Sequence, residues 1–254
     1  LSSELEKIVI ALWADLQQAY KFGSLIRLEE RFNMRMNALI SDFQGDQLRL
    51  YKEETLANYE QFRKNFFTNL QKAVEQNTIK QGITFLNTKT QDAITFLQLL
   101  TQKYDVAVAN PPYTDSSDFG PELKKFIDTN YKQPYKFNTN LYVAFIKRCC
   151  ELTDETGYVA LIHPHTFMFI KSFEDVRKYI IEHTHIDLLV DYGLDRVNLF
   201  GPGILLDASW YVLSKRKKDE EGIYFSITSN QQEKHKQASL EHSFDDVLHN
   251  RKNE

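Results

Sequence analysis

Residues 104–113, YDVAVANPPY, impose a boundary that few folds accommodate. Tyr104 to Ala109 is a short run of small and apolar residues, the pattern of a strand buried in a sheet. It closes on a side-chain amide, Asn110, and then on Pro111 and Pro112. Prolines hold φ near a fixed value and carry no backbone N–H. Each also pushes the residue before it toward extended geometry. The strand must end here, in a stiff loop rich in hydrogen-bond acceptors and poor in donors. Tyr113 then adds a flat aromatic face.

The surroundings of this corner alternate between strand and helix patterns. "GITFLN" (82–87) is short and strand-like, and residues 92–103 have helical spacing. After the corner comes an amphipathic helix, "FNTNLYVAFIKRCCELT", with Asn138 or Thr139 near its N-cap. Strand "GYVALIHP", helix 172–184, strand "IDLLVDYG" and strand "LLDASWYVLSK" follow. Strands alternating with helices predict an α/β fold with a largely parallel sheet and helices on both faces. The charged turn after "LLDASWYVLSK", leading into "GIYFSIT", predicts a hairpin at one end.

The first 80 residues have a different rhythm. Leu5, Ile8, Val9, Leu12, Trp13, Leu16 and Tyr20 recur at helical spacing, with Gly23 as a C-cap. Leu48, Leu50, Leu56, Tyr59, Phe62, Phe66 and Leu70 mark a long polar helix over 46–78. The expected organisation is a helical lead over 1–80, an α/β portion over 81–230 and a polar, frayed tail over 231–254.

Composition narrows the function classes. A chain of 254 residues that is 42% hydrophobic builds a sizeable core. Its net charge of -4 counts against a dedicated nucleic-acid-binding module, though not against a local basic cleft. Lys124, Lys125, Lys132, Lys136 and Lys171 lie near the loops around the corner. They read either as phosphate contacts or as a solvated face. Adjacent Cys149 and Cys150 point to different faces of a helix, so they predict no disulfide between them, no metal site and a reducing, cytoplasmic setting. No run is long enough to span a membrane. The chain opens on Leu1 rather than Met, which predicts a piece of a longer protein.

In open α/β sheets ligands bind beyond the carboxyl ends of the strands. Asn110 stands at such an end. Its side-chain oxygen and the Pro111 carbonyl are two acceptors beside the Tyr113 ring. This set suits a planar group bearing an NH2, either the exocyclic amine of a base or a carboxamide. The nitrogen lone pair of such a group is delocalised and poorly nucleophilic. Accepting both N–H groups favours positive charge on nitrogen as it attacks, which is electrostatic preorganisation. Holding the amine in line with its reaction partner adds to it.

"QKYDVAVANPPY", "NLYVAFIKRCCELTDETGYVALIHPHTFMFIKSFEDVRKYII" and "NLFGPGILLDASWYVLSK" together resemble the adenine-specific (N6) DNA methyltransferases of phage-defence systems. The likeness is to the BREX phage-growth-limitation X methyltransferases, related to type IIG restriction-modification enzymes. "FGSLIRLE" at 22–29 belongs to the same likeness, which covers roughly residues 15–215. The resemblance implies a partial Rossmann-like class I methyltransferase sheet, the C-terminal half of a catalytic domain, behind a helical region. It also implies S-adenosylmethionine as cofactor, DNA as substrate and other phage-defence proteins as partners. Asn110 and Pro111 would bind the amino group of a flipped adenine. Pro112 would shape the loop and Tyr113 would stack on the base. Phe200 would pack on the same adenine, with Gly201 and Gly203 beside it allowing close backbone approach; by itself it reads equally as a core residue at a turn. Asp92, as a strand-end acid, would lie near the cofactor; its residue context alone reads as a helix-start aspartate. His163 and His165 fall on the ligand face, as DNA contacts or as hydrogen-bonded loop residues.

A glycine-rich turn for the cofactor's amino-acid end does not stand upstream of Asn110. Only Gly23, Gly45 and Gly82 precede Gly120, each isolated. The expectation is a chain with the target-amine half of a methyltransferase, lacking an N-terminal cofactor-binding part and a C-terminal target-recognition part. An open half-sheet edge also predicts a homodimer. Alternatives are a glutamine or RNA amino-methyltransferase, whose glycine-rich turn would lie close before NPPY, or a non-catalytic binding or scaffold domain.

Overall fold

The computed structural model describes residues 19–42, 64–65, 67–69, 71–72, 84–195, 206–216, 220–227 and 233–251. The expectations for 5–16, for most of 46–78 and for Phe200 with Gly201 and Gly203 lie outside the described residues. Two compact units divide the chain, Leu1–Gln102 and Lys103–Glu254.

In the first unit a short helix, α1 (Ala19–Phe22), stops at Gly23, whose φ of 53° is the left-handed geometry expected of a C-cap glycine. Helix α2 (Leu28–Asp42) carries Glu29 and Glu30 in its first turn, where the dipole favours acids. It buries Leu28 and Phe32, and the Phe32 ring stacks on Phe67 at 5.7 Å. Helix α3 (Thr84–Thr101) buries Ile94, Leu97 and Leu100 at three-residue spacing. The strand expected at "GITFLN" is therefore corrected: residues 84–87 are the first turn of α3. Neither Gly nor Pro interrupts 84–101, so nothing stops the helix from running back through that apolar run.

The second unit holds strands β1 (Tyr104–Ala109), β2 (Thr153–Pro164), β3 (His185–Asp195), β4 (Leu206–Ser214) and β5 (Ile223–Ser226). Helices α4 (Pro121–Tyr131) and α5 (Leu141–Leu152) join β1 to β2, α6 (Glu174–His183) joins β2 to β3, and α7 (Glu233–Arg251) closes the described chain. The strand order is β1-β2-β4-β3-β5. β1 runs parallel to β2, and β3 parallel to β5, but β4 is antiparallel to both its neighbours. The sheet is thus mixed, not largely parallel. The expected hairpin between β4 and β5 is also corrected. β4 follows β3 without an intervening helix among the described residues and returns directly beside it, which is an antiparallel connection. Both edges of β4 are then occupied, so β5 pairs with the other edge of β3. The result is a mixed, partial Rossmann-like sheet.

Strand β2 alternates, with Val159, Leu161 and His163 buried on one face. Helix α5 packs behind it through Val143, Ala144 and Ile146, all fully buried. Cys149 and Cys150 on α5 are free and buried, and burial pushes their thiols up to about 12 and about 11. Helices lie on both faces, as expected, but unevenly. On the second face α7 seats Leu240 against Val190, Tyr192, Ala208 and Ile227, while Phe244 meets Phe225 at 4.8 Å. Nearer β1 that face leaves Val106 and Val108 exposed. The polar tail expected at the C-terminus is helical over 233–251. Two apolar residues four apart are enough to seat an otherwise polar helix. Among the described residues no helix is long and apolar enough to cross a membrane.

The start of α5 anchors the loop after β1. Its N-cap is Asn140, whose side-chain oxygen accepts from Tyr142 N at 3.2 Å. Asn138, an expected cap, instead donates to Asp128 at 2.6 Å. Leu141 N donates to Thr114 O and Ser116 N to Thr139 O, stitching the segment after Tyr113 to the helix start. Replacing the cap, Asn140→Ala, should cost about 1 kcal/mol of stability. Urea unfolding of the two chains measures it; equal midpoints would show that the cap contributes nothing.

Candidate active site

Strand β1 ends at Ala109, paired with Leu161 of β2, so Asn110 emerges at the carboxyl edge of the sheet. Asn110 is exposed, Pro111 buried, Pro112 exposed and Tyr113 half-buried. The Tyr113 hydroxyl donates to Asn110 Oδ1 at 2.6 Å and lies 3.3 Å from the Ile162 carbonyl on β2. Burial raises the Tyr113 pKa above its ordinary value, so the hydroxyl keeps its proton and remains a donor. A carboxamide oxygen has two lone pairs. One is engaged by Tyr113, and the other is left to accept from a ligand at the exposed edge.

Behind Tyr113 stands a column of rings. Tyr113 meets Tyr142 edge-on at 6.4 Å, and Tyr142 stacks on His163 at 4.5 Å with planes 20° apart. The His163 ring meets Phe167 and Tyr211 edge-on at 4.8 and 5.2 Å. His163 Nδ1 lies 3.0 Å from the Pro164 carbonyl, which can only accept, so Nδ1 carries the proton. Nε2, 2.8 Å from the Tyr211 hydroxyl, is then the acceptor. Burial lowers the His163 pKa to about 4, which keeps the ring neutral. His163 is fully buried, so the DNA contact weighed for it is ruled out and its hydrogen-bonded role holds.

His165 lies at the rim. Its Nδ1 is 2.8 Å from Asp191 Oδ1, and its Nε2 is 3.6 Å from Asp207 Oδ2. Asp191 is aimed by the bulge in β3: Gly193 adopts a φ of 66°, and its N–H donates to Asp191 Oδ1 at 3.0 Å. Sequence reasoning passed over Asp191 and Asp207. Their signal was an acid at the end of one strand pattern and the start of the next, both facing the carboxyl edge. Asp92 is exposed in the middle of α3, neither at a strand end nor at a helix start. Of the lysines, Lys136 is engaged by Asp175 at 2.6 Å, whereas Lys124, Lys125, Lys132 and Lys171 are exposed.

An acceptor corner at the carboxyl edge of such a sheet can accept hydrogen bonds from a planar amine. The Eco57I restriction-modification methylase family matches residues 8–200, and the chain belongs to that family. It is 22% identical over 142 residues to the adenine-specific methyltransferase BrxX of Escherichia coli O9:H4 (strain HS), covering 56% of this chain and 12% of that protein. To the adenine-specific methyltransferase PglX of Lacticaseibacillus casei (strain Zhang) it is 26% identical over 141 residues, covering 56% and 11%. To the type II restriction enzyme and methyltransferase RM.Eco57I of Escherichia coli it is 29% identical over 102 residues, 39% of this chain and 10% of that one. The chain thus spans about a tenth of the length of these curated relatives. Among solved structures, a nuclease-deletion mutant of the Type ISP restriction-modification enzyme LlaGI with a DNA substrate mimic aligns at TM-score 0.42 and 19% identity, over 55% of this chain and 16% of that one. The likeness to BREX-type adenine methyltransferases read over roughly residues 15–215 is borne out in kind by these relatives.

The depressed His163 pKa has a stability consequence. Its folded value, about 4, lies below the unfolded value of ~6.5. Its contribution is therefore fully present above pH ~6.5 and is lost as pH falls from there toward 4, by up to ~3 kcal/mol. Urea unfolding between pH 4 and 7 should show a shallower acid loss for His163→Gln than for the parent chain. Parallel pH profiles would rule out His163 as the titrating group.

Proposed function

We propose that Asn110, Pro111, Pro112 and Tyr113 form the amine-binding corner of a site-specific DNA adenine-N6 methyltransferase acting in phage defence or restriction-modification. The observation that carries this reading is the exposed Asn110 carboxamide, held by the Tyr113 hydroxyl at 2.6 Å at the carboxyl edge. Asn110 Oδ1 and the Pro111 carbonyl accept the two N–H groups of a flipped adenine. Charge building on the nitrogen is then met by fixed dipoles rather than by reorienting water. The Tyr113 ring, and Phe200, which falls between β3 and β4 in the sequence, stack on the base and offset part of the few kcal/mol that extrusion costs. The protein works in the cytoplasm, where its DNA is.

S-adenosylmethionine is the methyl source that the family implies. The residues of this chain fit the amine better than they fit that cofactor. Before Gly120 the sequence places only three isolated glycines, Gly23, Gly45 and Gly82, so no glycine-rich cradle precedes the corner. Asp92 sits mid-helix rather than at a strand end, and we assign it no cofactor contact. This chain supplies the amine side, and the cofactor is held mainly by residues outside it.

Two measurements test this. Adenine-methylation sequencing of a host with and without the gene should reveal one methylated motif that disappears with the gene. It should disappear equally with Asn110→Ala in the full-length protein, whose folding stays intact because the side chain is exposed. Methylation retained in that variant would remove Asn110 from the mechanism. Titration calorimetry of the 254-residue chain with S-adenosylmethionine should give weak or no binding; micromolar affinity would overturn the assignment of the cofactor site to residues elsewhere.

A further inference from the structure

Phe169 and Ile170 follow β2 at the same carboxyl edge as the Asn110 corner, and they are 65% and 46% exposed. Two large apolar side chains held in water at one point of a rim call for a partner. Their backbone is fixed. Phe169 N and Ile170 N donate to Thr166 O at 3.1 and 3.0 Å, and Phe173 N donates to Ile170 O at 3.2 Å. From α6, Arg177 Nη1 donates to the carbonyls of Phe167 and Ile170, each at 2.8 Å. The Phe169 ring rests edge-on against His165 at 5.2 Å, and His165 is itself held by Asp191. The tip is thus rigid and apolar, and it is followed directly by exposed Lys171.

We propose that the Phe169–Ile170 tip is a wedge that enters the base stack of duplex DNA where the target adenine leaves it. The proposal rests on the adenine reading above and adds the element that holds the duplex open. Extruding one base leaves a gap in the stack, and apolar side chains inserted at a base step stabilise such a distortion. The corner at Asn110 and the tip lie on consecutive loops of one sheet edge. Tyr113 is tied to Ile162 of β2, and the tip begins a few residues beyond, after Pro164. The two Arg177 hydrogen bonds hold the backbone of the tip in place before DNA arrives. Lys171 is placed to meet a flanking phosphate.

The test uses the full-length protein and two duplexes bearing the methylated motif. In one the target adenine is paired with thymine; in the other it lies opposite an abasic position, where extrusion costs little. Phe169→Ala and Ile170→Ala should lower kcat/KM on the paired duplex about tenfold to a hundredfold, the worth of one lost stacking contact. On the abasic duplex both should come close to the parent rate. Phe169→Leu, which keeps an apolar wedge, should retain most activity on both. A 2-aminopurine at the target position should brighten less with Phe169→Ala than with the parent. Equal losses on the two duplexes, or no loss on either, would overturn the wedge while leaving the adenine reading intact. A parent protein inactive on both duplexes would overturn the adenine reading and the wedge with it.

Discussion

The hydroxyl of Tyr113 joins the two strands on which the site depends. It donates to the side chain at the end of β1 and lies against a backbone carbonyl of β2. Without it the Asn110 carboxamide, exposed on a loop, would rotate freely and share its oxygen with water. With it, the oxygen has one direction committed and one direction offered. Pro111 and Pro112 restrict the backbone beneath the same atoms, so the loop and the side chain are both held before any ligand arrives.

The support behind Tyr113 is aromatic and neutral. Tyr142, His163 and Tyr211 run from the corner into the core, and each polar atom of the His163 ring has a defined partner. A charged histidine there would oppose the positive charge that the proposed amine attack develops. Burial prevents this by holding His163 unprotonated at ordinary pH. His165, with the carboxylates Asp191 and Asp207, stands beyond it at the rim, half-buried. The edge of the sheet therefore divides into an aromatic column behind the corner and a polar rim, with the Phe169–Ile170 tip at the rim.

Much of this was legible in the chain itself. The end of β1, the stiffness of the corner and the acceptor-rich character of Asn110 and Pro111 follow from local chemistry, because proline geometry and missing N–H groups act within a few residues. The five described strands and helices α5 and α6 also followed from periodicity, whereas α4 carried no such reading. The errors share one cause. "GITFLN" was assigned by its short apolar run, whereas the packing of Ile94, Leu97 and Leu100 carried the helix through it. Asn138 seemed a cap until Asp128 claimed its amide. The tail seemed frayed because the seat for Leu240 and Phe244 is built by β3, β4 and β5, remote in sequence.

Sequence alone therefore determined where a strand stops, which hydrogen-bonding groups the stopping residues offer and which family they belong to. These properties reside in single residues and their immediate neighbours. Tertiary structure decided that β4 runs backward between β2 and β3, that Tyr113 reaches Ile162, that His163 is sealed in the core while His165 lies at the rim, and that Phe169 stands out in water. Each of those depends on distances between segments tens of residues apart. Only the closed sheet brings such segments together, and no local pattern encodes how far one edge lies from another.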